Sequence, residues 1–445
     1  MRKSVWLLAL IAVLAVLSPA LAQQNGQTKD DQNGTPSEQA QNEAPKIMGT
    51  DEAPVSIPDK DVANYPTNSS LGYKGVVMAN FNAADANDEL YADFGSTGLW
   101  YYNNGNWTQV SGLNPEGMIS ATMVNTIDDE LIVDFGATGL WLHDGGTTWI
   151  QLSGVNAQGM FAVDDDLDGV QEIQVDFGTI GIWRNDAGGP SSWEQYSGLN
   201  PYYGLKTNYG NIALDEGTWT FDSVGMWALY QSGGSNFYRQ LTGTVTYEDD
   251  FASADFTSLG SEDIVADFAS LGLWLWKSNS SGWVQISPMS ANRVKEVKFV
   301  GGSQDYELLA EDNAGGLYWG NWNGSTFVWT LITNTDIGPS SAFCETFDYD
   351  GTDSGDEEVI IPWTAGGAVM FDYSAGSSQT AFINTGYFVK FVVKGDYYNR
   401  GHDSTLAVAF TSASGQPGLW LFEKDSGGSE GGWHLLSSVV PDGVY

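Results

Sequence analysis

The chain has 445 residues, of which 17 are Lys or Arg and 56 are Asp or Glu, so its formal net charge is −39 at pH 7. A negative field of this size repels DNA, RNA and anionic lipid surfaces, which excludes nucleic-acid binding and polybasic membrane association as functions. The only cysteine, Cys344, has no partner for an internal disulfide. We predict that it is a small buried hydrophobic residue.

The N-terminal segment has the pattern of an export signal. Two basic residues precede an apolar run over residues 5–16, and small residues follow up to Ala22. This arrangement predicts a secretory signal peptide over residues 1–22. No later stretch approaches the roughly 20 apolar residues that a membrane crossing needs. We therefore expect a mature protein without membrane insertion, secreted to the medium or cell surface or held in the periplasm.

Residues 23–70 are rich in Gln, Asn, Pro, Ser and acidic residues and contain only scattered hydrophobic ones. Such a segment buries too little apolar surface to offset the entropy cost of ordering it. The composition therefore predicts a disordered spacer between the N-terminus and the folded part.

One pattern repeats through residues 71–445. In its clearest copy, Asp128 to Ser153, an apolar run, a Gly-bounded turn, a Leu-Trp run, a Gly-Gly turn and a third run follow one another. Short runs separated by turn residues predict antiparallel strands. One large residue after the Gly-bounded turn marks each copy: Trp100, Trp141, Trp183, Trp227, Trp274, Tyr318, Met370 and Trp420.

Eight copies of four short strands, without helical periodicity, predict an all-β protein, an eight-bladed β-propeller of four-stranded antiparallel blades. Each blade alone would expose two apolar faces, and neighbouring blades bury them. The C-terminal Pro441–Tyr445 resembles Pro115–Ile119, which begins a blade. We therefore expect the C-terminus to help close the ring beside blade 1.

The third copy contains an acidic loop between its first two predicted strands. It reads D-D-D-L-D-G-V-Q-E from Asp164 to Glu172. Carboxylates at positions one, three, five and nine, with Gly169 at the sharp turn, would wrap a hard cation such as Ca²⁺. We assign the predicted ligands to Asp164, Asp166, Asp168 and Glu172. The alternative is a solvated acidic turn without metal.

This loop, followed by Asp-Phe-Gly at residues 176–178, resembles the calcium loops of FG-GAP/VCBS repeats, the blades of integrin-type propellers. The resemblance implies structural calcium that holds two strands of a blade together. A second loop is a weaker match, with carboxylates at Asp348, Asp350 and Asp356. The other copies have lost the ligand pattern.

Most of the 18 tryptophans occupy two equivalent positions in each copy, which favours packing between blades over ligand contact. Aromatic residues outside these positions are better candidates for exposed ligand contacts. They are Trp319, Trp322, Tyr202 and Tyr203.

The sequence contains no assembled catalytic motif, and its three histidines fall in unrelated repeat positions. We therefore expect a binding or adhesion module that recognises a protein or glycan ligand through loops on its rim. Two alternatives stay open. One is an extracellular polysaccharide hydrolase or lyase that uses carboxylates in the central funnel. The other is a structural subunit of a surface assembly.

Overall fold

The computed structural model describes residues 75–442 apart from residues 83, 85–86, 125–126, 187, 209–214, 223, 233–234, 245–250, 279–281, 299–305, 335–336, 338–343, 349–356, 373–377, 384–386, 398–404, 413–415 and 424–431. Its strands form eight four-stranded sheets. A search of the described part finds no helix with the length and apolarity that a membrane span requires. The predicted signal peptide (1–22) and spacer (23–70) lie outside the described residues.

The strands of blades 1 and 2 are β1 (Val76–Ala79), β2 (Glu89–Asp93), β3 (Leu99–Asn103), β4 (Asn106–Ser111), β5 (Gly117–Ala121), β6 (Glu130–Asp134), β7 (Leu140–His143) and β8 (Trp149–Ser153). Those of blades 3 and 4 are β9 (Gly159–Val163), β10 (Glu172–Asp176), β11 (Ile182–Asn185), β12 (Trp193–Ser197), β13 (Tyr203–Thr207), β14 (Glu216–Phe221), β15 (Gly225–Ser232) and β16 (Ser235–Thr242).

Blades 5 and 6 contain β17 (Phe251–Ala254), β18 (Asp263–Asp267), β19 (Leu273–Trp276), β20 (Trp283–Ser287), β21 (Ala291–Val297), β22 (Glu307–Asp312), β23 (Leu317–Trp322) and β24 (Phe327–Thr333). Blades 7 and 8 contain β25 (Glu345–Phe347), β26 (Glu358–Pro362), β27 (Ala368–Asp372), β28 (Ser378–Ile383), β29 (Tyr387–Gly395), β30 (Thr405–Ser412), β31 (Gly418–Glu423) and β32 (Gly432–Ser437). Short 3-10 turns cover Gly95–Thr97, Gly136–Thr138, Gly178–Ile180 and Ala269–Leu271.

Each sheet consists of four consecutive antiparallel strands, so one copy of the sequence pattern makes one blade. The first strands of neighbouring blades contact one another around the ring, and β29 of blade 8 contacts β1 of blade 1. The chain is therefore an eight-bladed β-propeller, as predicted. Within the described residues, each sheet consists of strands that are consecutive in the chain, so blades 8 and 1 meet there through contacts between blades and not through a shared strand.

The glycine of the Gly-Leu-Trp element is required by the backbone. In blade 1, Gly98 has a φ of 84°, and a Cβ at this position would collide with the carbonyl oxygen of Ser111 at the end of β4. Only glycine adopts this conformation without strain and allows this close approach.

A β-bulge follows this glycine at the start of the third strand in every blade. In blade 1 it lies between Leu99 and Trp100. In blade 7 it lies between Ala368 and Val369. The marker position of blade 7 is therefore Val369, and its assignment to Met370 from the sequence was wrong by one residue, because local spacing does not reveal which residue follows a bulge.

The marker tryptophan holds the loop between the second and third strands of its own blade. In blade 1, Trp100 Nε1 donates to Thr97 O at 3.2 Å, and Gln109 Nε2 donates to the same oxygen at 2.7 Å. On the other side of the loop, Gly95 N donates to Asp93 Oδ1 at 2.8 Å. The Trp–Gln pair recurs in blades 2 to 5 on the carbonyl oxygens of Thr138, Ile180, Val224 and Leu271.

The second regular tryptophan of a copy joins neighbouring blades. Trp193 Nε1 of blade 3 donates to Leu152 O of blade 2 at 2.8 Å. Trp107 Nε1 of blade 1 donates to Leu436 O of blade 8 at 2.9 Å, which bridges the two ends of the ring. Equivalent bonds join blades 5 and 4 and blades 6 and 5, through Trp283 and Trp329.

The residue before each second strand forms another contact between blades. Asp129 N of blade 2 donates to Asn80 O of blade 1 at 2.7 Å. The same backbone bond joins six further described pairs: Asp88 to Asp396, Gln171 to Thr122, Asp215 to Asp164, Glu262 to Asn208, Tyr306 to Asp255, and Glu357 to Lys298.

At four junctions the side chain of the donor residue also accepts a hydrogen bond in return. At ring closure, Asp396 N donates to Asp88 Oδ2 at 2.6 Å. The same return bond reaches Gln171, Asp215 and Glu262. We call this two-way contact the blade clasp. It satisfies backbone groups at the end of each first strand that would otherwise be left without partners.

Apolar clusters fill seven of the junctions between blades within the described part of the chain. Cys344 is fully buried in the cluster between blades 6 and 7, as predicted, and burial raises the pKa of its thiol to about 12. The C-terminus also meets blade 1 as expected. Asp442 N donates to Asp93 O at 2.7 Å, and Glu116 N donates to Asp134 O at the same distance.

Several acidic residues of the second strands are buried and titrate near neutral pH. Burial raises the pKa of Asp176 to about 7, and it raises the pKa of Asp134 and Glu130 to about 7 as well. In an unfolded chain these carboxyls titrate near 4. Because the folded chain holds their protons more tightly, the contribution of these three carboxyls to folding stability is greatest at acidic pH and falls as the pH rises from about 4 to about 7.

Substitution Asp88→Ala removes the carboxylate that accepts the Asp396 N–H at ring closure. We expect the free energy of unfolding in urea to fall by about 1–3 kcal/mol, because a part-buried donor loses its partner. Asp88→Asn retains an acceptor and should behave like the parent. Asp129→Ala is the matched control, since Asp129 Oδ1 accepts only from Thr122 Oγ1 of its own blade among the bonds described for that side chain. Equal losses for the two alanine variants would contradict the clasp.

Substitution Asp176→Asn removes one buried titrating carboxyl and retains an oxygen that can accept from Gly178 N, at 2.7 Å in the parent. We expect little change in thermal stability at pH 4 and a gain of up to about 4 kcal/mol at pH 8, because the pKa of Asp176 is raised from near 4 to about 7 and one pKa unit corresponds to roughly 1.4 kcal/mol. Melting curves from pH 4 to pH 8 check this. Asp222→Asn, at an exposed position, should leave the pH profile unchanged, and a profile of Asp176→Asn parallel to the parent would refute the argument.

Candidate functional site

The acidic loop of blade 3 is held in a fixed turn by its own carboxylates. Leu167 N donates to Asp164 Oδ1 at 2.8 Å, and Val170 N donates to Asp168 Oδ1 at 2.8 Å. Leu167 has a φ of 66°, which carries the chain sharply back towards β10. These local bonds bring the side chains of the loop together before any ligand is considered.

The predicted metal ligands of blade 3 converge, but in two overlapping groups. Carboxylate oxygens of Asp164, Asp166 and Glu172 lie within 4.8 Å of one another. Asp168 groups instead with Asp166 and Asp186, again within 4.8 Å. Oxygens around one Ca²⁺ bind at about 2.3–2.6 Å, so either spacing fits one ion. Asp186, which follows β11, was not identified from the sequence.

A buried arginine enters the same cluster. Arg184 Nε lies 2.7 Å from Asp165 Oδ1, and Arg184 Nη2 lies 2.7 Å from Asp166 Oδ2 and 3.3 Å from Glu172 Oε1. The guanidinium thus neutralises part of the charge of two predicted ligands. A calcium ion held by this loop would share Asp166 and Glu172 with Arg184.

Arg184 is the centre of a polar network at the junction of blades 3 and 4. Asp165 Oδ2 accepts from Tyr196 Oη at 2.8 Å and from Gln174 Nε2 at 3.1 Å. Gln174 Oε1 in turn accepts from Trp219 Nε1 of blade 4 at 2.9 Å. Each of the other seven junctions contains an apolar cluster in its described part, whereas the junction of blades 3 and 4 contains this polar network.

The charged groups of this network are buried, and each shifts the pKa of its neighbours. Burial raises the pKa of Glu172, whereas the neighbouring guanidinium lowers it. Burial lowers the pKa of Arg184, but the adjacent Asp165 more than compensates, so the net change is upward. Arg184 therefore stays charged. The sequence does offer a signal for this network, because Arg184 follows Trp183 at the position that Leu142 and Leu275 occupy in other blades.

The second predicted metal loop is described only at its start. Asp348 is half-buried directly after β25. Asp350 and Asp356 lie outside the described residues. Metal binding by this loop stays a prediction.

The four predicted ligand-contact aromatics differ in exposure. Trp319 is only 8% exposed and belongs to the core between blades 6 and 7, so little of its ring is available to a ligand. Trp322 is half-buried, with Lys277 Nζ 4.4 Å from the centre of its ring. Tyr202 and Tyr203 are also half-buried.

A cavity of about 680 Å³ lies where the first strands of blades 4 to 8 end, at the mouth of the channel. Its walls carry three lysines, three glutamates and a tyrosine, drawn from five blades: Lys206, Lys298, Lys394, Glu262, Glu296, Glu357 and Tyr306. None of these seven residues was identified from the sequence. The loop between β17 and β18 also contributes to the wall, so a rim loop reaches this site.

Two lysines of this cavity are paired with acids at its edge. Lys206 Nζ lies 3.0 Å from Asp215 Oδ2, and Lys394 Nζ lies 3.5 Å from Glu357 Oε1. Burial raises the pKa of Tyr306, and Glu357 and Glu262 add to the rise. Tyr306 therefore stays protonated at neutral pH and can donate a hydrogen bond into the cavity.

A second cleft, of about 440 Å³, lies between blades 8 and 1. Tyr102 and Tyr397 face each other in its wall with ring centres 6.0 Å apart. Asn87, Asn104 and His434 line it as well. The two tyrosine rings stack on each other, so a sugar ring could not lie between them without separating them.

No protein-family model matches the chain, and no curated protein matches its sequence. The resemblance to FG-GAP/VCBS repeats therefore stays a prediction. Solved propeller structures are similar at low identity. The lectin BP39L from Burkholderia pseudomallei is 12% identical with a TM-score of 0.48, over 84% of this chain and 99% of that chain.

Two further solved structures are more distant. BBS1N, in complex with ARL6DN, is 11% identical with a TM-score of 0.45, over 67% of this chain and 92% of that chain. The six-bladed lectin of Aleuria aurantia is 13% identical with a TM-score of 0.33, over 62% of this chain and 92% of that chain. The fold assigned to this chain rests on its own strand pairing.

Proposed function

We propose that this chain is an exported binding module that recognises a protein or glycan ligand at the channel mouth of blades 4 to 8. The cavity of about 680 Å³ carries this proposal. It has the size of a small-ligand site and converging polar groups from several blades, which together favour specific recognition. Adhesion at the cell surface or outside it is the corresponding role.

The geometry of the walls supports binding by a rigid site. Ser253 Oγ donates to Glu262 Oε2 at 2.7 Å, and Asn208 N donates to the same oxygen at 2.9 Å. Asn208 follows β13, where the blade clasp joins blades 4 and 5, and Ser253 lies on β17 of blade 5. A site whose polar groups are held by the scaffold loses little entropy when a ligand binds.

One further candidate function has an observation of its own. Glu262, Glu296 and Glu357 line the same cavity with Tyr306, and carboxylates beside a phenol are groups that polysaccharide hydrolases and lyases use. This enzyme alternative predicts product release from a polysaccharide that binds, whereas a binding module leaves the polymer intact.

Substitution Ser253→Trp should fill the cavity and abolish ligand binding, because Ser253 is half-buried in its wall. The measurement is a glycan-array and immobilised-protein screen of the mature chain, with released reducing ends assayed on every hit. Ser120→Trp is the matched control, since Ser120 holds the equivalent place on β5 of blade 2. Binding that survives Ser253→Trp would refute the site, and reducing ends released only by the parent would favour the enzyme.

We also propose that the loop of blade 3 holds structural calcium, in the manner of the FG-GAP/VCBS repeats that it resembles. The convergence of Asp164, Asp166 and Glu172 supports this proposal. When bound, the ion would add a positive charge between two strands of the blade. Arg184 already neutralises part of the charge of Asp166 and Glu172. We therefore expect calcium to add stability to a loop that these ion pairs already hold in place.

Calcium added to chelator-treated protein should raise the melting temperature in proportion to the logarithm of its free concentration. Asp168→Ala should abolish the rise without breaking the ion pairs of Arg184, because Asp168 is outside them. Asp222→Ala, at an exposed position remote in sequence, serves as the control and should keep the rise. If calcium neither releases nor absorbs heat in calorimetric titration of the parent, nor raises its melting temperature, the loop is a solvated turn without metal and the calcium proposal is wrong.

A further inference from the structure

The described cations of this acidic chain are concentrated on the first strands. Nine Lys and Arg residues fall within the described part of the chain, and six of them lie on the first strands of blades 4, 6 and 8 or directly after them: Lys206, Arg293, Lys295, Lys298, Lys390 and Lys394. Three of the six, Lys206, Lys298 and Lys394, line the cavity at the channel mouth. Asp255 and three glutamates line it too, so the cavity places cations and acids side by side.

Lys298 and Tyr306 occupy positions that serve the blade clasp elsewhere. The backbone bonds place Lys298 where other blades have Asn80, Thr122 or Asp255. They likewise place Tyr306 where other blades have carboxylates or an amide. At the Lys298 position the clasp uses backbone groups only, and among the described residues the Tyr306 side chain accepts no return bond. The clasp therefore engages neither side chain.

Lys298 is the one cavity lysine without a carboxylate partner in the described part of the structure. Its ammonium group lies 5.9 Å from the centre of the Tyr306 ring. The acid at the clasp position opposite it, Glu357, pairs instead with Lys394 at 3.5 Å. An ammonium group that forms no ion pair with the acids of its own wall favours a ligand that brings a carboxylate to it.

The remaining wall groups suit a ligand with many hydroxyls. Glu262 and Glu296 are acceptors for hydroxyl donors, and Tyr306 and Thr346 offer hydroxyl groups of their own. The same glutamates disfavour a group with two negative charges, such as a phosphate monoester, because like charges repel at short range. One carboxylate among several hydroxyls meets both conditions.

We propose that the ligand of this site is an acidic saccharide, whose carboxylate binds Lys298 while its hydroxyls bind Glu262, Glu296 and Tyr306. This inference rests on the proposed function, since it names the ligand class of the same cavity. A uronate residue within a glycan and a free uronate share this chemistry. An acidic peptide is the competing ligand, and it lacks the hydroxyl donors that the glutamates of the wall accept.

The test is calorimetric titration of the mature chain with trigalacturonate, with a neutral galactose trisaccharide, with monomeric galacturonate and with triglutamate. We expect the acidic trisaccharide to bind at least tenfold more tightly than the neutral one. Lys298→Gln should remove that preference, with about a tenfold loss for the acidic ligand and no loss for the neutral one. Lys277→Gln, in which the lost ammonium lies over Trp322 outside the cavity, should keep the preference.

Melting curves confirm folding of each variant before titration. Equal binding of the two trisaccharides, an unchanged preference in Lys298→Gln, or binding of triglutamate alone would overturn the inference. So would the absence of saccharide binding. A neutral saccharide that binds the parent but not Ser253→Trp would overturn only the acidic ligand and leave the proposed site in place. Comparable affinity for the monomer would assign recognition to a single free uronate, and a large gain for the trimer would assign it to a glycan.

Discussion

The hydrogen bonds between the end of one first strand and the start of the next second strand are the constraint on which this ring depends. A propeller whose last blade shares a strand with its first is closed by a sheet, but here every sheet is built from four consecutive strands. The hydrogen bonds Asp88–Asp396 and Trp107–Leu436 therefore join blade 1 to blade 8. Equivalent hydrogen bonds join neighbouring blades at other junctions. Ring closure thus uses the same hydrogen bonds that join other neighbouring blades. This explains how eight similar copies of one sequence pattern can form a closed ring.

The charge of the chain and the geometry of the ring act together. Acidic residues at the start of second strands are buried and accept backbone hydrogen bonds, as Glu89 does from Phe81 N at 2.9 Å. Carboxylates in such positions order the loops above them, but their ionisation costs stability as the pH rises. Acids on the first strands have cationic partners instead, as Glu345 has in Lys295 of the neighbouring blade at 2.9 Å.

Sequence periodicity predicted the blade count, the strand order and the packing role of the tryptophans, because each depends on spacing within one copy. It failed where the decisive neighbour lies on another strand. The bulge at Val369 shifts a register that spacing cannot detect. Arg184 gathers Asp165 and Glu172 only after folding. The cavity lysines stand far apart in the chain, so nothing local connects Lys206 to Lys394.

The departures from the repeat carry the information about function that the repeat itself does not. A residue found at the same place in most or all blades is explained by the requirements of the ring, as Gly98 and Trp100 are. A residue that breaks the pattern is not explained in this way. Arg184 replaces an apolar residue, Tyr306 stands where other blades have a carboxylate or an amide and gives up the return bond of the clasp, and Lys298 stands where other blades have Asn, Thr or Asp. Lys298 and Tyr306 line one cavity, and it is for this reason that the proposed ligand site is placed there.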